Sequence, residues 1–167
     1  RLIRRQRQMC IRDSTNIIGD CTILKQAAQF ALSTFAGRRV TKVLTAAVDG
    51  IPLATMVASA LGVNLVIAKW TKEVGVPAFL DETYVLRDSG VTMTLYIPKN
   101  ALRRRDSVLI VDDMIKTGDT QAALINLVHK ARAEVSGIYS LIAVGDEWRK
   151  KLNLPEGVPI EIVTRVT

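Results

Sequence analysis

Asp112 and Asp113 stand directly behind a run of four apolar residues, and the turn Lys116-Thr117-Gly118-Asp119-Thr120 follows them and opens a helical stretch. The order of these parts carries the chemistry. In an open parallel sheet, ligands sit beyond the carboxyl ends of the strands, so two acids after a buried strand lie where a substrate would be held. The free amides of a helix's first turn, backed by the positive end of its dipole, attract phosphate. The hydroxyls of Thr117 and Thr120 add donors, and Gly118 permits the tight turn. The segment therefore implies one ligand with a phosphate and with hydroxyls or a bound magnesium ion for the carboxylates. Taken singly, the acid pair could be a helix cap with a solvated neighbour and the Thr-Gly step an ordinary turn. Together and in this order they read as a site. No glycine-rich loop ends in Gly-Lys-Ser/Thr, which excludes a Walker P-loop. A receiver domain is excluded because its acid pair comes near the start of the fold. His129, the single histidine, falls inside the following helix and reads as a surface or packing residue.

Ile23, Ala27, Phe30, Ala31 and Phe35 recur at three- and four-residue spacings, predicting a helix that begins at Asp20 and is ended by Gly37. Residues 40–47 are apolar and β-branched enough for a buried strand. Gly50-Ile51-Pro52 opens a second helix running to Leu61, and residues 65–68 make the next strand. Strand, helix, strand at these lengths is a right-handed crossover, which makes the two strands parallel. Residues 70–91 are the least periodic stretch and read as a long functional loop. Strands are predicted at residues 91–97, 108–111, 138–144 and 160–163, and helices at 119–133 and 147–152. The expected fold is α/β: one open, mostly parallel sheet with helices on both faces and a small hood from the chain ends.

At 167 residues, 49% hydrophobic and 23% charged, the chain can bury a core without metal or disulfide. Cys10 and Cys21 have no metal-ligand spacing, which excludes a structural zinc site and fits a reducing, cytoplasmic setting. No window is apolar enough to span a membrane. Arg1, Arg4, Arg5, Arg7 and Arg12 against Asp13 place +4 of the +7 net charge at positions 1–13, leaving +3 for the rest. Residues 1–13 have no period of either kind and read as a non-native or disordered segment, with the domain covering 14–167. A second basic run, Arg103-Arg104-Arg105, precedes a strand and reads as a solvated turn.

The segment VLIVDDMIKTGDT resembles the phosphoribosyl pyrophosphate (PRPP) motif of type I phosphoribosyltransferases, and the stretch from Tyr84 to Asp113 is most similar to the adenine enzymes. The resemblance covers nearly the whole chain. It implies that Asp112 and Asp113 hold the ribose hydroxyls of PRPP, and a magnesium ion through those hydroxyls or water. It implies that Lys116, Thr117, Gly118, Asp119 and Thr120 wrap the 5′-phosphate, and that Ala47, Val48, Asp49 and Gly50 meet the pyrophosphate. Lys69 and Lys72 would neutralise pyrophosphate. Residues 73–84 would be a flexible lid with Glu82 and Tyr84 at its far end, and residues 144–148 would help cap the base.

The chain departs from the family pattern in three places. Asp119 replaces a glycine of the phosphate turn, which requires its charge to face solvent or cap the helix. Val48-Asp49 stands where adenine enzymes have Ser-Arg, removing a cation from the pyrophosphate. Lys116 replaces the acid that 6-oxopurine enzymes place there, which argues against hypoxanthine or guanine. The resemblance thus implies a magnesium-dependent homodimeric enzyme that transfers phosphoribose from PRPP to a nucleobase, foremost adenine, in purine salvage. Two other readings stay open. One is a transcription regulator that senses PRPP or a nucleotide and touches nucleic acid through a helix-turn-helix ahead of this chain. The other is an interaction module with a decayed site.

Overall fold

A computed structural model describes residues 16–167, so the expectation for residues 1–13 lies outside the described residues. Asp20 accepts the amides of Thr22 and Ile23 and starts α1 (Cys21–Phe35), whose apolar spacing buries Leu24, Ala27, Ala31 and Phe35, the usual work of an aspartate cap. There follow β1 (Lys42–Ala46), α2 (Ile51–Leu61), β2 (Asn64–Ala68), β3 (Phe79–Val85), β4 (Thr92–Pro98) and β5 (Ser107–Ile115). Then come α3 (Asp119–Lys130), β6 (Glu134–Val144), the short α4 (Trp148–Lys151) and β7 (Ile160–Val166). Five strands form a parallel sheet in the order β2-β1-β5-β6-β7, and β3 and β4 form a separate antiparallel pair.

Alternate residues of β5 supply two cores. Leu109 and Val111 face α1 and α2, among Leu24, Ala31, Phe35, Leu53 and Val57. Val108 and Ile110 face α3 and the β3–β4 pair, among Leu95, Ile97, Leu124, Leu127 and Val128. Helices therefore cover both faces, as the strand lengths and crossovers predict. A strand buried on both sides has to read as a continuous apolar run, as β5 does up to Val111.

Three expectations need correction. The aperiodic stretch is not a loop throughout: residues 79–85 pair with residues 92–98 in register from Phe79↔Pro98 to Val85↔Thr92. The hairpin was obscured because Glu82 occupies an inward position among Leu80 and Tyr84, where alternation calls for an apolar side chain. Asn126 and Lys130 of α3 receive that carboxylate at 2.8 and 2.6 Å. The irregular connection shrinks to the segment between β2 and β3, and the lid cannot extend over residues 79–84 as a flexible loop. Second, β5 does not stop at Val111. Its ladder to β6 continues through Asp112↔Ser140, Met114↔Ile142 and Ile115↔Ala143, because backbone pairing is indifferent to side-chain polarity. Third, α3 ends at Lys130, where Arg132 takes a positive φ of 57° and turns the chain into β6.

Tyr139 anchors α1 to the sheet. Its ring is fully buried against Phe35, and its hydroxyl donates to the Ala27 carbonyl at 2.7 Å. Burial, with the Glu161 charge adding to it, pushes the Tyr139 phenol upward, so the hydroxyl keeps its proton and remains a donor. Replacing Tyr139 by Phe removes that one bond and little volume, with an expected loss of about 1 kcal/mol in denaturant unfolding.

Candidate functional site

The carboxyl ends of β1 and β5 open into a cleft of about 430 Å3. Its lining brings together Ala47, Val48, Asp49 and Gly50 after β1, Asp112 and Asp113 at the end of β5, and residues 116–120. Sequence reasoning expected all of these at one place, and the topology puts them there. A second hollow of about 500 Å3 adjoins the first, shares Asp88, Met114, Lys116 and Thr117 with it, and is closed by Val144, Gly145, Asp146 and Glu147.

Asp112 lines the cleft and is nevertheless almost wholly covered by the fold. It is 6% exposed. One oxygen accepts the Asp113 amide at 3.0 Å and the other accepts Gln121 Nε2 at 2.6 Å. Burial, reinforced by the Asp113 charge, raises the Asp112 carboxyl well above the ordinary carboxylate range. Burial also raises Asp113, against a hydrogen bond with Asp112, and the neighbouring Asp49 charge pushes it the same way. Gly50 lies against this pair: a Cβ there would run into Thr45 Oγ1 and stand 2.7 Å from Asp112 Oδ1. The peptide between Ala47 and Val48 is cis.

The phosphate turn is held from beneath. Gly118 sits at φ 80°, and a Cβ on it would meet Trp148 Cβ at 3.2 Å. Glycine is therefore required there by conformation and by space. Gly118 has no side chain to cap α3, and the Asp119 amide donates to Thr117 Oγ1 at 3.4 Å, which leaves the following amides of the turn to meet an anion. Asp119 neither faces solvent nor caps the helix. It is 2% exposed and accepts Thr117 Oγ1 at 2.6 Å, the Arg87 amide at 2.9 Å and the Lys151 ammonium. Burial opposes its ionisation, but Lys151, Thr117 and the Arg87 amide together hold its carboxyl below the usual range. Its charge is neutralised inside the fold, next to a favourable helix dipole. Tyr84 Oη lies 3.3 Å from Thr120 Oγ1, which ties the β3–β4 pair to the same turn.

Other expected residues do not line the cleft. Lys69 pairs with Glu73 on the following segment, and Lys72 lies 5.4 Å over the Tyr96 ring and 6.0 Å over Phe79. Glu82 is committed to Asn126 and Lys130. Trp70, half-exposed, takes a place on the cleft wall instead. Sequence reasoning missed Gln121 and Lys151. Gln121 follows the motif by one residue, and only a demand for a partner to a buried acid would have pointed to it. The unexplained charge of Asp119 was itself a signal that a cation must lie nearby, but nothing in the spacing singled out Lys151. His129 is exposed on α3.

Among the described residues no group of three or more histidine, cysteine or acidic side chains is arranged to hold a metal. The lining nevertheless carries Asp49, Asp88, Asp112 and Asp113, besides the internally paired Asp119, against the single cation Lys116. A polyphosphate can enter such a cleft only with its charge offset, and that donor set fits a magnesium ion shared with ligand oxygens, with Asp113 and Asp49 as the open carboxylates.

Carboxyls raised by folding bind protons more tightly in the native state. Stability conferred by that pair is therefore lost as pH climbs from about 4 through the raised values. Asp112→Asn is expected to flatten the fall of Tm across that range and to raise Tm at neutral pH, by about 2–4 °C for each kcal/mol relieved. Gln121 can turn its amide to suit the new side chain. Lys151→Met acts in the opposite sense: it leaves the buried Asp119 with only the exposed Arg87 guanidinium, 3.8 Å away, as a cation, and should cost about 2 kcal/mol at neutral pH, a loss that shrinks once acid protonates Asp119. Thermal melts of the two variants across pH check both.

Residues 16–165 match the phosphoribosyl transferase domain family. Among relatives, the chain is 34% identical over 128 residues to the purine biosynthesis transcriptional repressor PurR of Bacillus subtilis, covering 77% of this chain and 45% of that protein. It is 29% identical to the xanthine phosphoribosyltransferase of Lactococcus lactis subsp. cremoris, covering 88% of this chain and 75% of that one. The chain spans about half the length of the curated repressors it matches. The adenine phosphoribosyltransferase structure from Rhodothermus marinus superposes with a TM-score of 0.76 at 33% identity, over 90% of this chain and 83% of that one. That from Thermoanaerobacter pseudethanolicus gives 0.78 at 27%, over 91% and 86%. With a family match over residues 16–165 and the sheet, crossovers and cleft already described, the chain belongs to the phosphoribosyl transferase domain family and has the type I fold.

Proposed function

We propose that this chain binds PRPP with magnesium and transfers its phosphoribosyl group to a purine base, breaking the C1–pyrophosphate bond and forming a C1–nitrogen bond. The observation that carries the reading is the meeting, in one cleft, of paired acids at a strand end and the amino end of α3. The amides of that helix turn, with Thr120, bind the 5′-phosphate. Asp113 accepts the ribose hydroxyls and Asp112, fixed by Gln121, orients it. Magnesium, held by Asp113 and Asp49 together with ligand oxygens, would supply the positive charge that the leaving pyrophosphate needs and that this part of the cleft lacks. Lys69 and Lys72 would reach the pyrophosphate only by leaving Glu73 and the aromatic rings, which fits movement of the segment between β2 and β3 on binding. Glu82 serves this lid region through its hold on α3, and not the reacting atoms.

The second hollow, beside Lys116 and residues 144–147, takes the base. The hairpin's likeness to adenine enzymes, the two adenine enzyme structures and Lys116 favour adenine; the xanthine enzyme relatives make xanthine the first competitor. The same reading makes the protein a cytoplasmic homodimer. Among the described residues no helix is long and apolar enough to cross a membrane.

A second reading, a PRPP or nucleotide sensor, is favoured by one feature: Asp49 stands beside Asp113 where a transferring enzyme gains from a cation, and the repressors are among the relatives. Calorimetry with PRPP and with a nucleoside 5′-monophosphate, alongside pyrophosphate release with adenine, xanthine, hypoxanthine and guanine, separates the two. Transfer requires release with one base. Binding without release makes the chain a sensor, and absence of PRPP binding overturns both. Thr120→Ala should weaken PRPP and the monophosphate alike, by about tenfold, because both present the same phosphate.

A further inference from the structure

The cleft occupies only the carboxyl edge of the sheet, and the opposite edge has a character of its own. The segments that enter β1, β5 and β6 lie side by side there. Thr41 donates its amide to Ser107 and its hydroxyl to Asp106, while Glu134 donates its amide to Asp106. This places Arg38 and Arg39 before β1, Arg103, Arg104 and Arg105 before β5, and Arg132 before β6 along one edge. All are exposed. Arg38 is held on the Gly157 carbonyl, and among the described residues none of the six has a carboxylate within ion-pair distance.

The acids facing these arginines are few. Asp106 is already paired with Lys42 at 3.3 Å and accepts the Arg103 amide and the Thr41 hydroxyl. Glu134 lines the same groove as Arg38 and Arg39, and Glu156 lies in the turn that receives Arg38. Six arginines against two unpaired glutamates exceed the +3 carried by everything after Asp13, so the remainder of residues 14–167, the cleft included, has a slight negative balance. The run read from sequence as a solvated turn is one part of a patch that the parallel topology assembles from three separate segments.

We propose that this edge is a binding surface for the phosphate backbone of a nucleic-acid duplex. Guanidinium groups grip phosphate by paired hydrogen bonds and remain charged at any physiological pH. None of the exposed large hydrophobic residues lies in these segments, so the edge has nothing to insert into a membrane and no aromatic platform on which successive unpaired bases could stack. A row of cations without an aromatic platform suits regularly spaced phosphates read without sequence. The surface is separated from the cleft by the length of β1, about 16 Å at the usual rise per residue, so a duplex and PRPP can be held at once.

The test is anisotropy of the full chain with a labelled random-sequence duplex of about two helical turns, titrated at salt from about 50 to 200 mM. The expected result is binding that weakens steeply with salt. Changing Arg103, Arg104 and Arg105 together to Gln should weaken it at least about tenfold and lower the log–log salt slope by about 2.7. Arg39→Gln with Arg132→Gln, in different segments, should weaken it further. Melting curves and PRPP calorimetry of these variants should match the parent, which shows that the fold and the cleft are intact. A chain with Arg1, Arg4, Arg5, Arg7 and Arg12 changed to Gln separates the edge from the amino-terminal charges. No binding at the lowest salt, an unchanged slope in the Arg103–Arg105 variant, loss of all binding in the amino-terminal variant, or tighter association with anionic vesicles than with duplex would each overturn the proposal.

Discussion

Parallel pairing of β5 with β1 on one side and β6 on the other is the constraint from which both ends of this molecule follow. Parallel neighbours cannot be joined by a tight turn, so each connection crosses a face of the sheet and returns to the same edge. Every strand of the five-stranded sheet therefore delivers its last residues to one rim and its first to the other. Segments far apart in the chain, after β1, after β5 and after β6, meet at the first rim. Those that precede the same strands meet at the second. Chemistry at one rim and basic charge at the other are two outcomes of a single hydrogen-bonding rule.

The fold treats its buried acids in two contrasting ways. Asp119 is given cationic and amide partners and stays ionised, so its charge is part of the scaffold. Asp112 and Asp113 are given each other, Asp49 and one neutral amide from Gln121, so their charge is opposed until something positive arrives. A site left short of countercharge binds its ligand more tightly when that ligand brings cations with it. The same shortage makes the cleft a local weak point at neutral pH, in keeping with the general rule that binding sites are less stable than the scaffolds that hold them.

Much of this was legible in the sequence, and the limits have physical causes. The amphipathic period of α1, the apolar run of β5 and the proline that opens α2 located their elements because each is a local signal. The motif at residues 108–120 located the cleft because strand, acids and helix start are contiguous. The β3–β4 pair was illegible because Glu82 breaks the alternation, and it is tolerated only through Lys130 and Asn126, more than forty positions away. Lys151 was hidden for the same reason: its role is fixed by a residue 32 positions earlier. The depth at which Asp112 is covered was not legible because strand pairing with β6 runs past the end of the apolar run, which no property of the residue itself announces.

The bond between Asp119 and Lys151 also bears on how such a chain could have been reached by descent. Starting from a small residue at position 119, an aspartate arriving first would be a charge sealed beneath the phosphate turn with only the longer, exposed contact to Arg87 to offset it, whereas a lysine arriving first at the partly exposed position 151 would be nearly harmless. Once both are present, reverting the lysine alone leaves the acid undercompensated. The pair thus works as a one-way gate: the neutral step opens the path, the second step closes it behind, and the short helix carrying Lys151 becomes tied to the phosphate turn for every later generation.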